Sequence, residues 1–105
     1  MFGNRSTSSG AKTISAQIST NPGSVSGVDV SPPSEGCSVV KIYDSEDSDL
    51  TGKLVLAEFH VDAGHISLNH EYFSAVAVNR GIYAEVTNSE TNGNTPTYVV
   101  RYGIG

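Results

Sequence analysis

The sequence predicts an all-β domain, an antiparallel β-sandwich of about eight short strands in a jelly-roll or Ig-like arrangement, from three observations. Apolar and polar residues alternate with the two-residue period of a strand with one wet face. Turn clusters such as Asn21-Pro22-Gly23 and Asn79-Arg80-Gly81 separate the alternating runs. Nowhere do apolar residues recur at the i, i+3, i+4, i+7 spacing of a helix. A chain of 105 residues has room for one core. Without helices to cover a sheet, two sheets must cover each other.

Residues 1–10, MFGNRSTSSG, hold too little apolar area to offset the entropy of ordering and read as a flexible amino-terminal arm. Residues 11–105 form the domain. Lys12 to Thr20 alternates Ile14, Ala16 and Ile18 with Thr13, Ser15, Gln17 and Ser19 as the first strand. Ser24 to Val30 follows with Val25, Val28 and Val30, interrupted at Gly27, where a bulge or a close backbone approach is expected. Cys37 to Tyr43 is the most β-prone run, with Lys41 directed to solvent and Cys37 read as a small buried hydrophobe at its start.

After the acidic turn Asp44 to Gly52, the run Leu54 to Val61 places Val55, Ala57, Phe59 and Val61 on one face, the expected core face. Leu54, Leu56, Glu58 and His60 fall on the other. Two leucines on an outer face predict that something covers it. Ile66 and Leu68 suggest a short strand and Tyr72 to Val78 another. Ile82 to Thr87 turns Tyr83 and Glu85 outward, and Thr97 to Ile104 closes the domain.

Composition excludes several function classes. Six basic residues stand singly against eleven acidic ones, a net charge of -5, so no basic patch exists to neutralise phosphates or an anionic membrane. No stretch approaches the roughly 20 apolar residues of a membrane helix, and the amino terminus lacks the apolar segment of a signal peptide. A lone Cys37 forms no intrachain disulfide, in keeping with synthesis in a reducing compartment.

Candidate chemistry is sparse. The run Asp44-Ser45-Glu46-Asp47-Ser48-Asp49 gathers carboxylates of the kind Ca²⁺ seeks, with Asp44, Glu46, Asp47 and Asp49 as candidate ligands. It lacks the central glycine and closing glutamate of an EF-hand, and a solvated hairpin tip is the default reading. His60, His65 and His70 recur every five residues, a spacing that alternates faces on a strand, so only intervening turns could gather them on zinc or nickel. No nucleophile elbow, phosphate loop or dinucleotide fingerprint is present. The chain therefore reads as a structural or binding module, not an enzyme, and needs no cofactor. Tyr83, opposite Ile82 and Ala84, is the tyrosine best placed for an interface.

Several segments together carry a resemblance: Ser24-Val25-Ser26-Gly27-Val28, Val39-Val40-Lys41-Ile42-Tyr43-Asp44-Ser45, Gly52 through Phe59, Gly81 through Thr87, and Tyr98-Val99-Val100-Arg101-Tyr102. In pattern these resemble the short β-rich virion proteins of tailed bacteriophages, in particular the capsid decoration, or cement, proteins. The resemblance implies a homo-oligomer, commonly a trimer, that binds the major capsid protein on the outside of the shell and stabilises it. It also implies assembly in the host cytoplasm and residence on the virion surface. Under that reading the arm from Phe2 to Ser9, including Asn4 and Arg5, touches a neighbouring subunit and is dispensable for the folded core. Leu54, Leu56 and Tyr83 are the expected subunit contacts. A tail-fibre or receptor-binding module that recognises a glycan, and a head-to-tail connector component, are the alternatives.

Overall fold

The alternating runs become eight strands in the computed structural model, which describes residues 7–88 and 95–104. They are β1 (Thr7–Ser8), β2 (Ala16–Ser19), β3 (Gly23–Ser31), β4 (Cys37–Asp44), β5 (Leu54–Asp62), β6 (Leu68–Val78), β7 (Ile82–Asn88) and β8 (Thr97–Ile104). One four-stranded sheet has the order β1-β8-β3-β6 and the other β2-β7-β4-β5, every pairing antiparallel. The order follows from nesting: β1 pairs with β8, β2 with β7, β3 with β6 and β4 with β5, as in one long hairpin. Rolling that hairpin up brings β8 against β3 and β7 against β4. This is a jelly roll. An Ig-like sandwich would place its first two strands in one sheet, whereas β1 and β2 lie in opposite sheets.

Two-residue alternation builds the core. Val25, Val28 and Val30 of β3, Val40 and Ile42 of β4, Ile82 and Ala84 of β7, and Tyr98 and Val100 of β8 form one buried cluster with Val61 and Val78. Valines three apart on β3 share a face because Val25 pairs with Tyr102 and Gly27 with Arg101, leaving Ser26 as an extra residue. The expected bulge is there. A side chain at Gly27 would collide with the Arg101 guanidinium, which lies over β3 and bonds Asp29, with Glu71 Oε1 at 3.4 Å.

A second bulge alters β5. Ala57 pairs with Ile42 but Val55 with Tyr43, so Leu56 is the extra residue and the faces exchange there. Leu56, expected outside, packs against the core, while Val55, expected inside, is 42% exposed. Three other expectations shift. Ile14 is 67% exposed because the chain crosses between sheets there and β2 starts only at Ala16. Ile66 lies in a loop, and the two strands expected around it are the single strand β6. Cys37 is exposed: Val40 and Ile42 set the inward parity of β4, which turns Ser38 and Asp44 inward and Cys37 outward.

Part of the segment read as an arm is fastened. Thr7 and Ser8 pair with Tyr102 and Arg101, the Ser9 N–H donates to the Val100 carbonyl at 2.9 Å, and the Val100 N–H returns a bond to Ser9 Oγ. Phe2, Asn4 and Arg5 lie outside the described residues. Beyond β1, Lys12 and Tyr98 exchange backbone bonds of 2.9 and 2.8 Å, and Tyr98 Oη donates to the Ile14 carbonyl at 2.7 Å.

Relative to a chain that begins at Thr7, one that begins at Gly10 loses β1 and the Ser9 bonds and should be less stable by about 1–3 kcal/mol, measured by urea unfolding. Burial, with a smaller push from Tyr83, raises the Tyr98 phenol to about 12. A raised folded value means full stability below the unfolded value near pH ~10 and progressive loss as pH rises through about 12. Tyr98→Phe should remove that alkaline component while lowering neutral stability by about 1–2 kcal/mol, since the Ile14 carbonyl loses its donor. Unfolding midpoints of both chains across alkaline pH test the pair of outcomes.

Candidate functional site

The acidic loop follows Asp44, the last residue of β4, whose inward parity leaves it only 5% exposed. A buried carboxylate needs donors, and the turn between β6 and β7 supplies them. The Asn79 and Arg80 N–H groups donate to Asp44 at 3.1 and 2.8 Å, with Gly81 at 3.4 Å. Ser45 N–H donates in turn to the Gly81 carbonyl. The backbones approach so closely that a Cβ at Gly81 would lie 2.6 Å from the Ser19 carbonyl oxygen and 2.8 Å from that of Ser45. Gln17 Nε2 sits within 3.0 Å of the Ser19, Ser45 and Ile82 carbonyls, adding β2 to the node.

The other carboxylates of the loop surround an ammonium group. Lys53 Nζ lies 3.0 Å from Ser45 Oγ, 3.1 Å from Glu46 Oε1 and 3.2 Å from Asp47 Oδ1. Asp47 Oδ1 also accepts the Asp49 N–H, and Asp49 Oδ1 the Thr51 N–H, the self-capping habit of Asp in turns. The four calcium candidates thus divide: Asp44 holds a turn, Glu46 and Asp47 hold a lysine, and Asp49 caps the loop. Among the described residues no group of three or more His, Cys, Asp or Glu is placed to hold a metal ion. Hydrogen bonds from Lys53 hold the Glu46 and Asp47 carboxyls below their ordinary values, with the Asp49 N–H assisting Asp47. Desolvation pulls Lys53 down, but its bonds to Glu46 and Asp47 outweigh it and the ammonium is held above its ordinary value.

The histidines separate. His60 Nε2 is 2.6 Å from Glu58 Oε2, and His60 and His65 line a cavity of about 400 Å³ with Val61, Gly64, Ile66 and Leu68. The turn that gathers them closes through His65 N–H to the Asp62 carbonyl, with Gly64 at φ 84°. His70 lies elsewhere, its ring centroid 5.9 Å from that of Phe59 and 4.6 Å from that of Tyr72.

Of the predicted contact residues, Leu54 is 64% exposed at the start of β5. Tyr83 is half-buried on the outer face of its sheet, in a register row that crosses all four strands: Val55, Tyr43, Tyr83 and Gln17. The next row sets Lys41 between Glu58 and Glu85, with 3.9 Å from Nζ to Glu58 Oε1. Sequence reasoning missed Val55, Ile66 and Leu68 as exposed apolar groups and Lys53 as the partner of the acidic loop. The available signal for Lys53 was its position, the only basic residue between the acidic run and β5.

Comparison with known proteins returns no matching family model, no matching curated protein and no matching solved structure.

The depressed Glu46 and Asp47 values fix a sign. Their contribution to loop order is present above the unfolded carboxylate range and is lost as pH falls through the folded values. Residues 45–53 should loosen in acid, seen as falling heteronuclear NOEs. Lys53→Met should loosen them already at neutral pH and abolish the acid-dependent step.

Proposed function

We propose that this chain is a virion structural protein of a tailed phage, a decoration protein that attaches to the outside of the capsid through the major capsid protein and stabilises the shell. The observation that carries the reading is the jelly-roll strand order. It is an architecture that viral capsids use. Because one fold serves many functions, the reading also draws on the side chains. The loop carboxylates that could do chemistry are engaged in turns and with Lys53, and the large side chains left exposed include Leu54, Val55, Ile66 and Leu68. Apolar groups on a polar rim are what a docking surface needs. Many weak sites on one shell act multivalently, so modest contacts suffice to stabilise a particle.

Purified shells stripped of the protein are the test. Added chain should cosediment saturably, at a copy number set by the symmetry of the lattice, and raise the temperature at which shells open. Leu54→Lys should weaken attachment at least about tenfold, the loss expected on placing a charge in an apolar contact. Absence of saturable attachment overturns the reading, and saturable binding to a glycan array instead would assign the chain to glycan recognition.

A further inference from the structure

The two long sides of the sandwich are unequal. One side ends in β1, two residues, and β2, four residues, and short strands are a common way to blunt a sheet edge. The other ends in β5, nine residues, and β6, eleven. β6 is blunted by a register break, since Val76 pairs with Val25 but Glu71 with Gly27. β5 has no such device past Leu56. From Ala57 to Asp62 it runs in unbroken register with β4, carries neither proline nor lysine, and meets no described strand on its other side. Such an edge is a template for another strand.

We propose that β5 pairs antiparallel with β5 of a second copy about a two-fold axis at Phe59, joining two β2-β7-β4-β5 sheets into one continuous sheet. The register is selected by charge. Opposed residues must point to the same face, which puts the axis on a residue, here one of Glu58, Phe59 and His60, the stretch that carries the outer-face pair Glu58 and His60. An axis at Glu58 sets the two Glu58 carboxylates against each other, and one at His60 sets Glu58 against Asp62. Both place like charges directly opposite, which destabilises a strand pair. An axis at Phe59 sets Glu58 against His60 of the second copy, twice, with Ala57 against Val61 on the inner face. Protonated, each imidazolium then donates one ring N–H to its own Glu58, already 2.6 Å away, and the other to the carboxylate across the axis.

The same register makes an apolar match at each end. It carries Leu54 of one copy toward the turn that follows β5 in the other, where Gly64 sits on the rim of the cavity formed with Val61, His65, Ile66 and Leu68. Leu54 is 64% and Ile66 85% exposed in the single chain, and the contact would cover both. Each copy offers one knob and one hole, as an isologous interface requires. The proposal stands independently of where the protein acts.

The test uses the full chain alone, by sedimentation equilibrium and native mass spectrometry. Wild type should be a dimer that dissociates on dilution. His60→Glu, and separately the double variant Glu58→Lys with His60→Lys, should each be monomeric with an unchanged circular dichroism spectrum. Mixed in equal amounts they should form a mixed dimer, a rescue that a purely intrachain role of these residues would not give. Leu54→Lys, at an exposed position whose cross-strand partner is Asp44, should weaken the dimer at least about tenfold. Wild type that stays monomeric into the millimolar range, a trimer, a mixture that remains monomeric, or an unaffected Leu54→Lys dimer would each overturn the proposal.

Discussion

The carboxylate of Asp44 is the interaction on which the ends of the two sheets depend. β6 belongs to one sheet and β7 to the other, so the turn at residues 79–81 must carry the chain across the sandwich. A crossing this short has no ladder to satisfy its N–H groups, and buried donors left unpaired cost about 1–3 kcal/mol each. Asp44 gathers Asn79, Arg80 and Gly81 on one carboxylate. Because Asp44 also ends β4, the bond ties the inner hairpin of the roll to the crossover of the next one out. Gln17 and Ser45 extend the tie to β2. The acidic loop therefore starts from a fixed, inward-facing residue, and its first carboxylate cannot join the others around an ion.

The core was largely legible in the sequence because burial on a strand has a two-residue period. Val40 with Ile42 and Ile82 with Ala84 read directly as inward pairs, and Gly27 correctly marked the break between Val25 and Val28. Leu56 carried no such mark. A bulge without glycine leaves the alternation of Leu54 to Val61 looking regular while exchanging the faces of its first residues. The order of the strands was not legible either. Alternation states which way a side chain points, not which strand lies beside it, so jelly-roll and Ig-like arrangements stayed equally compatible until the pairings were known.

The candidate site was legible as composition but not as geometry. A run of carboxylates announces negative charge, yet whether they converge depends on which backbone and side-chain donors reach them first. Here Lys53 returns from the far side of the loop to Glu46 and Asp47, and the turn N–H groups of Asp49 and Thr51 donate to Oδ1 of Asp47 and of Asp49. The histidines show the same limit in reverse. Their even spacing suggested a set of three, but the turn at Gly64 gathers His60 and His65 while the pairing of β6 takes His70 to the aromatic edge.

Assembly of an acidic chain sets a further constraint. At a net charge of -5, a second copy is repelled unless charge is compensated locally at the contact. The loop at residues 44–53 meets that condition internally, with Lys53 and Arg80 against Glu46 and Asp47. The β5 edge meets it with Lys41 in the next strand facing Glu58, and with His60 beside Glu58 once the imidazole is protonated. On the outer face of the opposite sheet the compensation is spent within the chain, Arg101 lying between Asp29 and Glu71. Of the long edges, β5 is thus the one that combines open backbone, exposed apolar ends and a charge pattern complementary to itself. That combination arises because the bulge at Leu56 turns Val55 outward while the uninterrupted register from Ala57 onward keeps Glu58 and His60 on one face.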